Sequence, residues 1–440
     1  MKNPDHFLRK FIFSCRTTLP AAMMCALLLM SACCHNEQPD DERFGRTVIV
    51  YMEAANSLYS FACTNIDTIL CHASEAEIGS DNRLLIYFNG SPHHAPRLLE
   101  VTPAHEKQQK RMADTVLVKS YQEENTLTPA FMTQVLKDAR EAYPSDSYGL
   151  VLWSHSQGWL PKESFTRSTP RMLSAPANGV TTKWFGIDYD YNALDITELR
   201  SALELYEWDY VLMDACYGAC VEALYELRNC CDYWVGSPVE VMGNGFPYHK
   251  ILPSLFAGHT ESGLLQICRT YIDFYKKDSS YPSATVSLIQ MDELDALAEQ
   301  AAALVEVCDA ARLSAPCFDS IQVLDNCKPA YFYDLDGYLR SAVGYSHADT
   351  LPETRRTEVV KRYQAFRQQL DRAVLYHDHT PYFYSGLKGS YTWTPISHSF
   401  CGLSAYIPRT DWPSSPSLYN QASQAYGHTS WAQAIGTAQH

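Results

Sequence analysis

Two apolar runs, each ending in a reactive side chain, constrain this chain more than any other feature. Trp208-Asp209-Tyr210-Val211-Leu212-Met213 reads as a buried strand, and Asp214 and Cys216 stand where it leaves its sheet. Ala219 to Arg228 carries Val221, Leu224 and Tyr225 at helical spacing, which puts Cys216 in a strand-to-helix turn. Tyr148-Gly149-Leu150-Val151-Leu152-Trp153 is a second buried strand and runs into Ser154-His155-Ser156-Gln157-Gly158-Trp159. Ligands bind at the carboxyl edge of an open parallel sheet. A His and a Cys at the ends of two neighbouring parallel strands can face one another across about sixty residues of sequence, and that pair is the minimum for thiol catalysis.

The surrounding pattern supplies the sheet. Arg46 to Met52 is a β-branched run, and Leu84 to Phe88 is an apolar run closed by the turn signal Asn89-Gly90. Val101 to Ser120 reads as shorter strands. Thr128 can cap a helix, Pro129 suits its first position, Phe131, Val135 and Ala139 recur on one face, and Pro144 stops it. Asp195-Ile196-Thr197-Glu198 has the form of a capping box, opening a helix that leads into the Cys216 strand. Further on, a strand at Asp232–Ser237, a loop from Pro238 to Gly245 containing Glu240, a helix over Leu264–Tyr275, a strand at Ala284–Ile289 and a helix over Asp292–Cys308 continue the alternation. The spacing predicts one α/β domain over residues 46–310. Residues 311–440 are less regular, with helices over Ala330–Ala342 and Glu353–Leu375 and a short strand at Leu403–Ile407, and are expected to pack on that core.

The amino terminus reads as a targeting segment. Lys2, Arg9, Lys10 and Arg16 precede an apolar run from Leu19 to Met30 that is too short to span a bilayer. Ser31-Ala32-Cys33 then resembles a bacterial lipobox, so residues 1–32 read as a signal peptide, Cys33 as the lipidated anchor and residues 33–45 as a tether. Plain secretion is the other reading. A net charge of −15 argues against nucleic acid, and no phosphate-binding glycine loop follows a strand. Of fifteen cysteines, Cys15 and Cys25 fall in the signal and Cys33 is the anchor; the rest show no C-x-x-C pair and read mostly as small buried side chains. His93-His94 and Tyr376-His377-Asp378-His379 lack further ligands at readable spacing, and no metal site is expected.

Several blocks now agree with one family. Tyr51-Met52-Glu53-Ala54-Ala55-Asn56-Ser57-Leu58, Leu152 to Trp159 and Met213-Asp214-Ala215-Cys216 resemble the clostripain-like cysteine peptidases, of the caspase and gingipain clan. Gly236 to Glu240 with Gly243 to Tyr248, Tyr333-Asp334-Leu335 and Gly402 to Pro408 extend the resemblance over residues 46–435. It implies a caspase-like three-layer α/β sandwich, with a mostly parallel central sheet flanked by helices and a less regular carboxyl-terminal region. It also implies a His155/Cys216 dyad and cleavage of peptides or proteins after Arg or Lys. No organic cofactor is implied. Some members need calcium and some mature by internal cleavage.

On that resemblance Cys216 attacks the scissile carbonyl as thiolate, and His155 takes the proton and returns it to the leaving amine. The backbone N–H groups of Ser156 and Cys216 would hold the oxyanion. The family usually carries glycine where Ser156 stands, and a serine there is penalised if the turn needs positive φ. Asp214 is expected on the floor of the specificity pocket, where a carboxylate pairs with guanidinium or ammonium, and Glu240 as a second acid. Lys162, Arg167, Arg171 and Lys183, in an irregular stretch after the histidine, would suit self-cleavage or simply form a solvated loop. The competing function is a lipoprotein that holds peptides in a peptidase-like groove without cutting them. A general α/β hydrolase is disfavoured because the chain has no G-x-S-x-G elbow.

Overall fold

The computed structural model describes residues 44–438 except 77, 92–93, 105–111, 124, 161–184, 190–191, 278–280, 309, 387–391 and 410–416. The proposed signal peptide, Cys33 and the stretch from Pro161 to Lys183 therefore lie outside the described residues. From Phe44 onward the chain forms one compact unit.

Its frame is a nine-stranded sheet in the order β10-β8-β7-β6-β5-β1-β2-β3-β4. β1 (Phe44–Glu53) pairs in parallel with both β2 (Asn82–Asn89) and β5 (Ser145–Trp153); β5 pairs in parallel with β6 (Tyr210–Asp214), and β6 with β7 (Tyr233–Gly236). Antiparallel strands flank this parallel centre: β3 (Arg97–Pro103) and β4 (Ala113–Ser120) on one side, β8 (Thr285–Gln290) and β10 (Val374–His379) on the other.

Why the centre is parallel and doubly covered follows from the side chains. Successive residues of a strand face opposite sides. In β1, Ile49 and Tyr51 enter one apolar core while Val48, Val50 and Met52 enter the other; in β6, Val211 and Met213 oppose Leu212 in the same way. Near-continuous apolar strands of this kind need helices on both faces. Helices Pro129–Ala142, Ile196–Leu203, Leu294–Glu306 and Glu353–Ala373 contribute to the first core, and helices Tyr59–His72, Tyr248–Leu255 and Thr260–Lys277 to the second. The expected helix start at Thr128 is present, its hydroxyl accepting from the Phe131 N–H at 3.2 Å. The Asp195 box is present too, with the Glu198 carboxylate accepting from the Asp195 N–H at 2.9 Å.

The carboxyl-terminal region does more than pack on the core, because β10 forms one edge of the central sheet. Two smaller pairings complete it: β11 (Tyr382–Ser385) with β12 (Thr392–Pro395), and β9 (Tyr333–Asp334) with β13 (Ser404–Ala405). The latter pair carries two of the family-like blocks. The Asp334 carboxylate accepts from the Gly337 and Cys401 N–H groups, each at 2.7 Å, and the Ser404 N–H donates to the Ala219 carbonyl at 3.0 Å. Blocks far apart in sequence thus brace the turn that follows Cys216.

Candidate active site

The ladder between β5 and β6 pairs Trp153 with Asp214. His155 and Cys216 each follow that rung by two residues, so the sheet delivers both to the same edge at the same height. Both are half-buried.

His155 is held by its neighbours on two sides. Its carbonyl accepts from the Gly186 N–H at 3.0 Å, and its Nε2 shares a hydrogen bond with the Ser57 hydroxyl at 2.9 Å. Ser156 is fully buried, and its Oγ accepts from the Gly158 N–H at 3.2 Å. Positive φ in this turn falls on Gly158 at +61° and not on Ser156. A Cβ at position 158 would lie 2.5 Å from the Cys220 Sγ, so glycine is required there, while serine at 156 carries no backbone penalty.

The Cys216 Sγ lies 3.4 Å from the Val241 N–H, which donates to it. The next residue, Tyr217, has φ of +55°, the single non-glycine positive φ among the described residues. A bulky side chain in that region costs on the order of 1–3 kcal/mol and persists only where its surroundings hold it. Here the Tyr217 N–H donates to the Val239 carbonyl at 3.0 Å, its ring stacks on Phe332 at 4.2 Å, and its hydroxyl donates to Glu240 Oε1 at 3.3 Å.

The two expected pocket acids differ in state. Asp214 is buried, and its Oδ2 accepts from both the Phe246 N–H at 3.1 Å and the Tyr248 hydroxyl at 2.9 Å. Its Oδ1 is buried with no hydrogen-bond partner. Burial pushes the carboxyl up to about 6, against the two donors that pull it down. Gly245, at φ +64°, leaves room for this arrangement, since a Cβ there would stand 2.6 Å from Oδ2. Glu240 is already engaged: Oε1 accepts from the Ser385 hydroxyl at 2.7 Å, and both carboxylate oxygens lie 3.0 Å from the Gly386 N–H. It ties the end of β11 to the loop beside Cys216.

Sequence reasoning missed Ser57, Val241, Tyr248 and the Ser385–Gly386 pair. The clues for Tyr248 and Ser57 were their places in the Gly243-to-Tyr248 and Tyr51-to-Leu58 blocks; nothing in the sequence pointed to Val241 or the Ser385–Gly386 pair. Among the described residues no three His, Cys, Asp or Glu side chains gather as cation ligands. In the His377-Asp378-His379 stretch, Asp378 pairs with Lys276 at 2.9 Å, and both histidine rings pack on Phe400. His93 lies outside the described residues. No described helix is long and apolar enough to cross a membrane.

The sequence model of the clostripain family, the C11 peptidases, matches residues 50–409. The chain belongs to the clostripain family. A secreted C11 cysteine protease of Bacteroides thetaiotaomicron, solved with an irreversible peptide inhibitor, superposes with a TM-score of 0.70 at 25% identity, over 89% of this chain and 99% of that one. A second structure of a secreted C11 protease from that organism, named iotapain, gives 0.69 at 25% identity, over 89% and 99% of the two chains. An inactive zymogen C11 protease of Parabacteroides distasonis gives 0.68 at 26% identity, over 89% and 98%. Among curated proteins none matches. As a clostripain-family chain with these structural relatives, the protein is a cysteine peptidase acting on peptide or protein substrates.

Proposed function

We propose that the protein is an endopeptidase that cleaves after basic residues through a His155/Cys216 dyad. The observation that carries the specificity is the Asp214 carboxylate, fixed through Oδ2 and left with a buried, unpartnered Oδ1. A buried acceptor without a donor is costly, and a substrate guanidinium or ammonium supplies one.

In the reaction, Cys216 loses its proton to His155, and the thiolate attacks the carbonyl carbon of the scissile bond. The Val241 N–H aimed at Sγ stabilises negative charge on sulfur before attack. The N–H groups of Ser156 and Cys216 serve as oxyanion donors. His155 then returns the proton to the departing amine, and water releases the acyl group from sulfur. Glu240, with its hydrogen bonds taken by Ser385 and Gly386, adds negative charge to the pocket wall and holds that wall in place.

Lipid anchoring through Cys33 and maturation by cleavage after a basic residue between Pro161 and Lys183 belong to the same reading. Acyl labelling lost in Cys33→Ala tests the first; intact mass of active protein tests the second.

The test of the activity is hydrolysis of peptide reporters ending in Arg, Lys, Ala or Asp by protein freed of residues 1–34, beside Cys216→Ala, with calcium and with a chelator. Cleavage after Arg or Lys, lost in Cys216→Ala, is the expected result, and the chelator arm decides calcium dependence. Cleavage after Ala keeps the dyad and removes Asp214 from its role. No cleavage by folded protein in any arm favours a peptide-binding lipoprotein.

A further inference from the structure

We propose that Ser57 is a positioning residue for His155, holding the imidazole so that Nδ1 serves Cys216; this rests on the dyad reading above. The direct observation is the 2.9 Å hydrogen bond between the Ser57 hydroxyl and Nε2. In the proposed arrangement the Ser57 hydroxyl oxygen accepts from Nε2–H, so the ring carries its proton on Nε2. Nδ1 is then the unprotonated nitrogen that takes the thiol proton. When His155 becomes imidazolium, the Nε2–H is a stronger donor, and its bond to Ser57 strengthens. Ser57 itself gains and loses no proton: the thiol hydrogen goes to Nδ1 and from there to the leaving amine.

An exposed serine positions a ring only if its backbone is fixed, and this one is stitched to the histidine turn. Asn56, fully buried, donates from Nδ2 to the Glu53 carbonyl at 3.2 Å and to the Ile187 carbonyl at 2.7 Å, and its Oδ1 accepts from the Leu58 N–H at 2.9 Å. The Tyr189 hydroxyl donates to the Asn56 carbonyl at 2.9 Å. Across the gap, the Ser154 hydroxyl donates to the Glu53 carbonyl at 2.6 Å, and the Gly186 N–H donates to the His155 carbonyl. The segment from Gly186 to Tyr189 therefore bonds both to the turn that presents Ser57 and to the turn that presents His155. The two side chains keep their separation because their backbones share partners.

The experiment compares Ser57→Ala and Ser57→Thr with wild type, using steady-state kinetics on the best basic reporter and iodoacetamide labelling of Cys216 near pH 6, read by peptide mass spectrometry. Position 57 is exposed, so both variants are expected to fold with unchanged thermal midpoints. Ser57→Ala is expected to lose about tenfold in kcat, the scale of one hydrogen bond to a charged group, with KM within about twofold. Cys216 labelling falls by a similar factor, and Ser57→Thr, which keeps the hydroxyl, restores most of both. Unchanged kcat and labelling in Ser57→Ala overturns the proposal. A rise in KM alone, or an equal loss in Ser57→Thr, assigns Ser57 to substrate binding or packing and also overturns it. If wild type cuts no reporter, the peptidase reading fails by itself, and the labelling arm still decides whether Ser57 governs the His155–Cys216 pair.

Discussion

Replacing Asp214 with Asn should separate stability from function at a single oxygen. Phe246 and Tyr248 both donate to Oδ2, so an asparagine that puts its carbonyl oxygen there keeps both bonds. Only the unpartnered Oδ1 changes, becoming NH₂. Burial raises this carboxyl from an ordinary 3.8 to about 6. Between about pH 3.8 and pH 6 the folded protein therefore holds a proton that the unfolded chain has released. Stability associated with that proton is fully present below about pH 3.8 and lost as pH rises through about 6. Linkage puts the loss at about 1 kcal/mol at pH 4.5 and about 3 kcal/mol at pH 8. Asparagine has no such titration. Relative to wild type, Asp214→Asn should thus gain about 2 kcal/mol between pH 4.5 and pH 8, whatever constant offset the amide introduces. Urea unfolding at the two pH values, in a Cys216→Ala background to prevent self-digestion, measures it. In the active background the same substitution removes the acceptor for the basic side chain, and kcat/KM for Arg and Lys reporters should fall on the order of 10²-fold. A variant whose stability tracks wild type at both pH values would refute the buried, unpaired carboxylate. Undiminished cleavage after Arg would refute its role in specificity.

Two further outcomes follow from the same physics. Gly245→Ala forces a side chain into φ +64° with its Cβ 2.6 Å from the Asp214 carboxylate, so it should lower stability by about 1–3 kcal/mol and cut basic-reporter activity; a fully active, equally stable variant in urea and kinetic assays would contradict the packing. Glu53 is buried with its carboxylate on Asn89 and Thr126, and burial first, then the charge of Asp188, raises it to about 8. Its contribution to stability is complete below about pH 4.5 and lost as pH rises through about 8, so Glu53→Gln should flatten the fall in urea midpoint between pH 5 and pH 9; an identical slope would exclude a protonated Glu53.

The parallel centre of the sheet was legible because its strands are apolar on both faces and bounded by turn signals, as at Val48–Met52 and Val211–Met213. The His155 and Cys216 turns were legible because each follows such a strand. Strand direction was not: the Ala284–Ile289 run reads identically whether parallel or, as β8 is, antiparallel. β10 was hidden because the helical pattern of Glu353–Ala373 runs straight into it, and its edge position leaves Asp378 and both histidines without a clear alternation. Helix Tyr248–Leu255 was hidden by Pro253 within it. In the site, Glu240 was readable as an acid beside the pocket, but its partners Ser385 and Gly386 lie about 145 residues away, and only the folded chain brings them together. The strained φ at Tyr217 has no signature in a residue type that seldom adopts it.

The rung shared by Trp153 and Asp214 makes the spacing of the two reactive side chains a property of cross-strand hydrogen bonding and not of chain continuity. Five consecutive rungs, from Gly149–Tyr210 to Trp153–Asp214, hold the two strands in register inside a sheet that has further strands on both sides. The covalent path from one side chain to the other is not what sets their spacing along the sheet, although its Gly186–Tyr189 segment braces the histidine turn. A nick between β5 and the Gly186–Tyr189 segment would therefore leave these five rungs, and the alignment they impose on the chemistry, in place.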